Sequence, residues 1–135
     1  MARFFPVALA LVLASAACGG SSSSTTPSTT TTTDTFNGTV AVGSADFHPF
    51  TVTTTGQVNV TLTAAGPPST ITMGIGVGLV SGSTCTIVAG GSVNTPAGTS
   101  AQLNGTVSPG TYCVQVFDIG NQTAPITYTV TVNHS

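Results

Sequence analysis

From Phe36 onward the chain repeatedly takes up a period of two, runs of aliphatic side chains alternating chiefly with Thr, Asn, Gln or Gly. Val58, Val60 and Leu62 alternate with Asn59, Thr61 and Thr63. Ile71, Met73, Ile75, Val77 and Leu79 alternate with Thr72, Gly74, Gly76 and Gly78. Tyr112, Val114 and Val116 alternate with Cys113, Gln115 and Phe117, and Ile126, Tyr128, Val130 and Val132 alternate with Thr127, Thr129 and Thr131. Successive strand residues point to opposite faces, so this period puts the aliphatic set on one side of a half-buried strand. Nothing competes with it: no apolar run has helical spacing, and Glu and Lys, both good helix formers, do not occur in the chain.

Further strands are predicted over 39–42, 50–54, 85–89 and 101–107. The breaks between them carry turn chemistry, among them Gly43-Ser44, Gly66-Pro67-Pro68, Ser81-Gly82, Gly90-Gly91, Pro109-Gly110 and Gly120-Asn121. About eight short strands in this length predict an all-β, antiparallel two-sheet β-sandwich, with jelly-roll connections among the topologies open to it. The glycines opposite the Ile71–Leu79 stripe require either another backbone packed tightly there or a strand bent around a sheet edge.

The N-terminus carries a different signal. Arg3 precedes an apolar run from Phe4 to Leu13, then Ala14-Ser15-Ala16-Ala17-Cys18-Gly19-Gly20. A positive n-region, an apolar h-region and small residues form an export signal. With Cys directly after the small residues, it resembles a bacterial lipoprotein signal, apart from Ser15 where Leu or Val is usual. That resemblance implies a signal peptide over 1–17, acylation of Cys18, and a membrane partner reached through lipid. A plain cleaved signal with a free Cys18 is the alternative. The apolar run is broken by Pro6 and falls short of the about 20 residues a spanning helix needs. After Cys18 comes Ser- and Thr-rich sequence without an apolar side chain to bury, so 18–35 is expected to be a flexible linker with a reach of roughly 20–25 Å.

Cleavage removes Arg3, the only basic residue, and leaves Asp34, Asp46 and Asp118 as the only charged side chains apart from any histidine protonation. Nucleic-acid binding is thereby excluded, because phosphate neutralisation needs several cations. Of the three cysteines, assigning Cys18 to lipid leaves Cys85 and Cys113 as an even pair in an oxidising compartment, and they are expected to form a disulfide. In the chain-entropy description such a loop contributes roughly 3.6 kcal/mol.

Catalytic chemistry finds little support. Asp46 and His48 with a serine could make a hydrolytic triad, but no Gly-x-Ser-x-Gly elbow occurs, and Asp46-Phe47-His48-Pro49 reads as a loop leading into a strand. His134 stands next to the last residue and is expected to fray. Two histidines with no spare thiolate are too few for zinc, so no metal and no cofactor are expected. Asp118 reads as a turn residue whose carboxylate accepts backbone hydrogen bonds. Gly74-Ile75-Gly76-Val77-Gly78 lacks nucleotide-loop spacing and a following Lys. Rows of outward Thr, namely Thr61, Thr63, Thr127, Thr129 and Thr131, could bind carbohydrate or ice, or could be the solvent face of a sandwich.

The segments Asn37-Gly38-Thr39-Val40, Phe50-Thr51-Val52 and residues 56–63, with Pro109-Gly110-Thr111-Tyr112-Cys113-Val114-Gln115-Val116 and the closing Tyr128-Thr129-Val130-Thr131-Val132, resemble the bacterial pre-peptidase C-terminal domain. The resemblance covers 36–135 and implies a non-catalytic β-sandwich. Relatives accompany secreted peptidases, and some bind collagen or calcium. Two departures matter: no peptidase sequence precedes the module, and carboxylates are too scarce for calcium, which takes six to eight oxygen ligands. The expected function is thus a non-enzymatic, lipid-anchored binding or structural module of the cell envelope, with the outer membrane implied by Gly19 after the cysteine. The alternative is an accessory module that binds an extracellular polysaccharide or protein and works in trans with a secreted enzyme.

Overall fold

A computed structural model describes residues 19–20 and 29–135; Cys18 and the signal segment lie outside the described residues. Eight strands follow one another: β1 (Thr32–Val40), β2 (Ala45–Val52), β3 (Gly56–Gly66), β4 (Thr72–Ser81), β5 (Thr84–Pro96), β6 (Leu103–Val107), β7 (Gly110–Phe117) and β8 (Ile126–His134). They form two four-stranded antiparallel sheets, sheet A in the order β1-β8-β3-β6 and sheet B in the order β2-β7-β4-β5. The pairs β1·β8, β2·β7, β3·β6 and β4·β5 are those of one long antiparallel ribbon rolled on itself. This is jelly-roll connectivity, and the sandwich expectation holds with it.

The alternating stripes meet between the sheets. Val58, Val60, Leu62, Val130 and Val132 from sheet A pack against Phe50, Met73, Ile75, Val114 and Val116 from sheet B. Removing such side chains from water is what holds two sheets face to face. In β3 the register shifts between Leu62 and Ala64. The Gln102 side chain covers the main chain there, its Oε1 accepting from Leu62 N at 2.8 Å and its Nε2 donating to Leu62 O at 3.2 Å. Tyr112 closes the β6–β7 turn by donating its hydroxyl to the Ser108 carbonyl at 2.7 Å.

The glycine row of β4 faces away from the core, and three different groups cover it. The Phe117 ring lies over Gly74 and the Ile87 side chain over Gly76, while the Thr86 and Ile87 backbone crosses Gly78 so closely that a Cβ there would strike the Thr86 carbonyl. Of the two reasons anticipated, a tightly packed backbone holds at Gly78. Beside this row the Cys85 and Cys113 sulfurs stand 2.03 Å apart, at disulfide distance, tying β5 to β7 across β4.

Three local expectations need correction. The segment read as linker to Thr35 ends sooner, because β1 begins at Thr32 and pairs along its length with β8. Asp46 to Pro49 are not a loop but part of β2, in register with Val116 to Cys113 of β7. His134 does not fray: it lies in β8, is only 4% exposed, and pairs with Thr32.

Candidate functional site

Two regions gather the chain's polar side chains. The first is the side of the sandwich where the end strands β1 and β2 face each other. Alternation turns Asp34, Phe36, Gly38 and Val40 of β1 inward, and Asp46, His48, Phe50 and Val52 of β2 towards them. Between them reaches Tyr128 from β8. Its hydroxyl donates to Asp46 Oδ2 at 2.5 Å and lies 2.8 Å from His48 Nε2. The single phenolic proton is committed to Asp46, so the phenolic oxygen accepts from His48 Nε2–H. Phe36 stacks on the His48 ring, centroids 4.7 Å apart and planes 5° from parallel. Burial, then the Asp46 hydrogen bond and its negative charge, push the Tyr128 hydroxyl well above the usual phenol range. Gly38 makes room for this contact, since a Cβ there would collide with the Asp46 carboxylate and the Tyr128 hydroxyl.

Further along the same side, His134 Nε2 sits 3.0 Å from Asp34 Oδ2, and the His134 ring packs on Phe50 with centroids 5.3 Å apart. Asp46 and His48 come together, and the hydroxyl between them is that of Tyr128, its proton engaged by Asp46. The contacts of Tyr128 with Asp46 and His48, of Phe36 with His48 and of His134 with Phe50 join the two sheets, whereas His134–Asp34 joins β8 to β1 within sheet A. Among the described residues no cluster of three or more His, Cys, Asp or Glu is placed to hold a metal ion.

The second region is the outer face of sheet A. Here register aligns polar residues into rows running across the strands. Thr33, Asn133, Asn59 and Asn104 form one row over all four strands. Thr35, Thr131 and Thr61 form the next, followed by Asn37 with Thr129 and by Thr39 with Thr127. The spacing is about 4.8 Å between strands and roughly 6.8 Å along them. Some rows are bonded internally, Thr129 Oγ1 donating to Asn37 Oδ1 at 2.7 Å and Asn133 Nδ2 to Thr33 Oγ1 at 2.9 Å. At one end the face dips into an open concavity of about 730 Å³ beside the β3 bulge, walled by Asn37, Thr39, Ala64, Pro67, Thr127 and Thr129. The face bears no charged residue: Asp34 and Asp46 turn inward on the other side of β1 and in β2, and Asp118 lies in the β7–β8 loop.

Asp118 does what its turn position foretells. Oδ2 accepts from Gly43 N at 2.7 Å, and Oδ1 from Gly120 N at 2.8 Å, Asn121 N at 3.2 Å and Gln122 N at 3.3 Å. The Gly43 bond first, and then those from Gly120, Gln122 and Asn121, hold its carboxyl below the ordinary range despite the opposing effect of desolvation. It binds the β1–β2 turn to the β7–β8 loop.

Sequence reasoning named the Thr rows of β3 and β8 and missed those of β1, whose polar composition hid a strand. It also missed Tyr128 as a bridge; Asp46-x-His48 alternation beside an inward Tyr was the available signal. No protein-family model matches the chain, and no curated protein matches it either.

Proposed function

We propose that the protein is a non-enzymatic, lipid-anchored β-sandwich of the bacterial envelope that binds a neutral extracellular polysaccharide through the outer face of sheet A. The observation that carries this reading is the charge-free lattice of Thr and Asn in register over four strands, with the concavity at its end. A threonine hydroxyl both donates and accepts, as a sugar hydroxyl does, and its methyl group offers apolar contact to the C–H face of a pyranose. With no charge on the face, binding strips no ion of water, the costliest desolvation there is. The Cys18 signal and the Ser/Thr-rich segment after it support anchoring through acyl chains with the domain held off the lipid, and Gly19 favours the outer membrane. The resemblance to pre-peptidase C-terminal domains supports an accessory, non-catalytic role.

Retention of the purified protein on the neutral insoluble polysaccharides cellulose, chitin and starch tests the binding. We expect retention on at least one, resistant to high salt because no ionic contact is involved, and lost in the variant Thr61→Asp/Thr131→Asp. Retention unchanged by that pair of charges, or no retention on any polymer, contradicts the reading.

A further inference from the structure

On the side opposite the tyrosine bridge, where β5 and β6 are the end strands, the two sheets do not close. An apolar crevice of about 200 Å³ runs in between them, lined by Val58, Val77, Val88, Leu103, Gly105 and Val107 among others. Two features of the backbone build it. On β6, Leu103, Gly105 and Val107 pair with Val60, Val58 and Gly56, and Val58 and Val60 are buried, so these three positions turn towards the core. The middle one has no side chain, and a Cβ added at Gly105 would meet nothing within 4 Å. On β5, Ile87 pairs with Gly78 and Ser92 with Gly76, so residues 88–91 leave the ladder opposite Val77. Gly90 takes φ +73° at the crest of this excursion, and Val88, 43% exposed, hangs at the mouth.

A core position left open beside water is unusual, since protein interiors are packed as tightly as organic crystals. We propose that the crevice is a binding site for a small uncharged molecule with one carbocyclic ring, of which benzyl alcohol is the simplest probe. Volume sets the size: a cavity of about 150 Å³ lined by aliphatic side chains holds benzene, and 200 Å³ leaves room for one short substituent. Charge sets the class, because no ionisable side chain lines the crevice and an ionic ligand would surrender its hydration without compensation. The substituent is polar and neutral, because β6 ends its sheet and alternate peptide groups of Leu103–Val107 lack a strand partner at the rim. The crevice lies on the core side of sheet A and meets the polysaccharide face only at its rim, where Asn104 and Thr106 of the outer face also line it.

Titration of the protein with benzyl alcohol, followed by amide NMR shifts, tests the proposal, with benzoate as the charged counterpart. We expect saturable shifts at Val58, Val77, residues 88–91 and Leu103–Val107, and none with benzoate. Gly105→Leu, which fills the gap, is expected to fold and to abolish the shifts. Gly105→Ala, a milder filling, is expected to weaken binding to a level between the two. No saturable shift at these amides, shifts unchanged in both filled variants, or equal binding of benzoate would overturn it.

Discussion

Tyr128 shows how one hydroxyl can fix the relation of two sheets. It is buried, and it joins Asp46 and His48 of sheet B to a strand of sheet A. Tyr128→Phe keeps the ring and strands a half-buried carboxylate and imidazole, so we expect a loss of about 1–3 kcal/mol in urea unfolding. Because the folded phenol titrates above the unfolded one, whose value is 10.0, stability should stand in full below that pH and fall above it. The variant should lack that alkaline fall. Asp118 works in the opposite direction. Its folded carboxyl is held below the unfolded value of 3.8, so its contribution stands above that value and disappears as the pH falls through the folded one. We expect Asp118→Asn to flatten the acid limb of stability as the pH falls below the unfolded value of 3.8. A slope equal to that of the parent would remove the carboxylate from the explanation.

Strands were legible where both halves of the alternation were chemically distinct. β3, β4, β7 and β8 carry aliphatic residues inward against mostly Thr, Gly, Asn or Gln outward, and their positions follow the sequence reading, except that Leu79 at the end of the β4 stripe is exposed. β1 was read only near its end. As an end strand it covers the core with just Phe36 and Val40, while Asp34 and Gly38 occupy its other inward positions, so composition resembles a linker. β2 was shortened for the same reason, its inward Asp46 and His48 being polar. Pro49 is tolerated there because β2 ends its sheet. The bridging role of Tyr128 was illegible because it depends on residues 82 apart in sequence. The β4 glycines, by contrast, announced either a close approach or a bend, and at Gly78 it is the close approach. Gly78→Ala drives a methyl into the Thr86 carbonyl, and backbone cannot yield as a side-chain tip can. We expect a loss of about 1–3 kcal/mol. Gly105→Ala, meeting only open space, should cost far less than Gly78→Ala in the same thermal unfolding series.

Taken together, the fold turns its few ionisable groups to internal tasks: Asp34 and Asp46 pair with the two histidines at one side of the sandwich, and Asp118 ties two loops. Hydroxyl and amide side chains are left to meet the solvent. Such a surface keeps free molecules apart poorly, because it lacks the net charge that ordinarily does so. Attachment to a membrane would relieve that demand, so the proposed Cys18 anchor and the neutral exterior are consistent with each other. Intact-mass spectrometry of the protein recovered from membranes tests this most directly. The expected species begins at Cys18, carries acyl groups there and retains a Cys85–Cys113 disulfide. A chain released from the membrane with an unmodified Cys18 thiol, or cut at another residue, would contradict it.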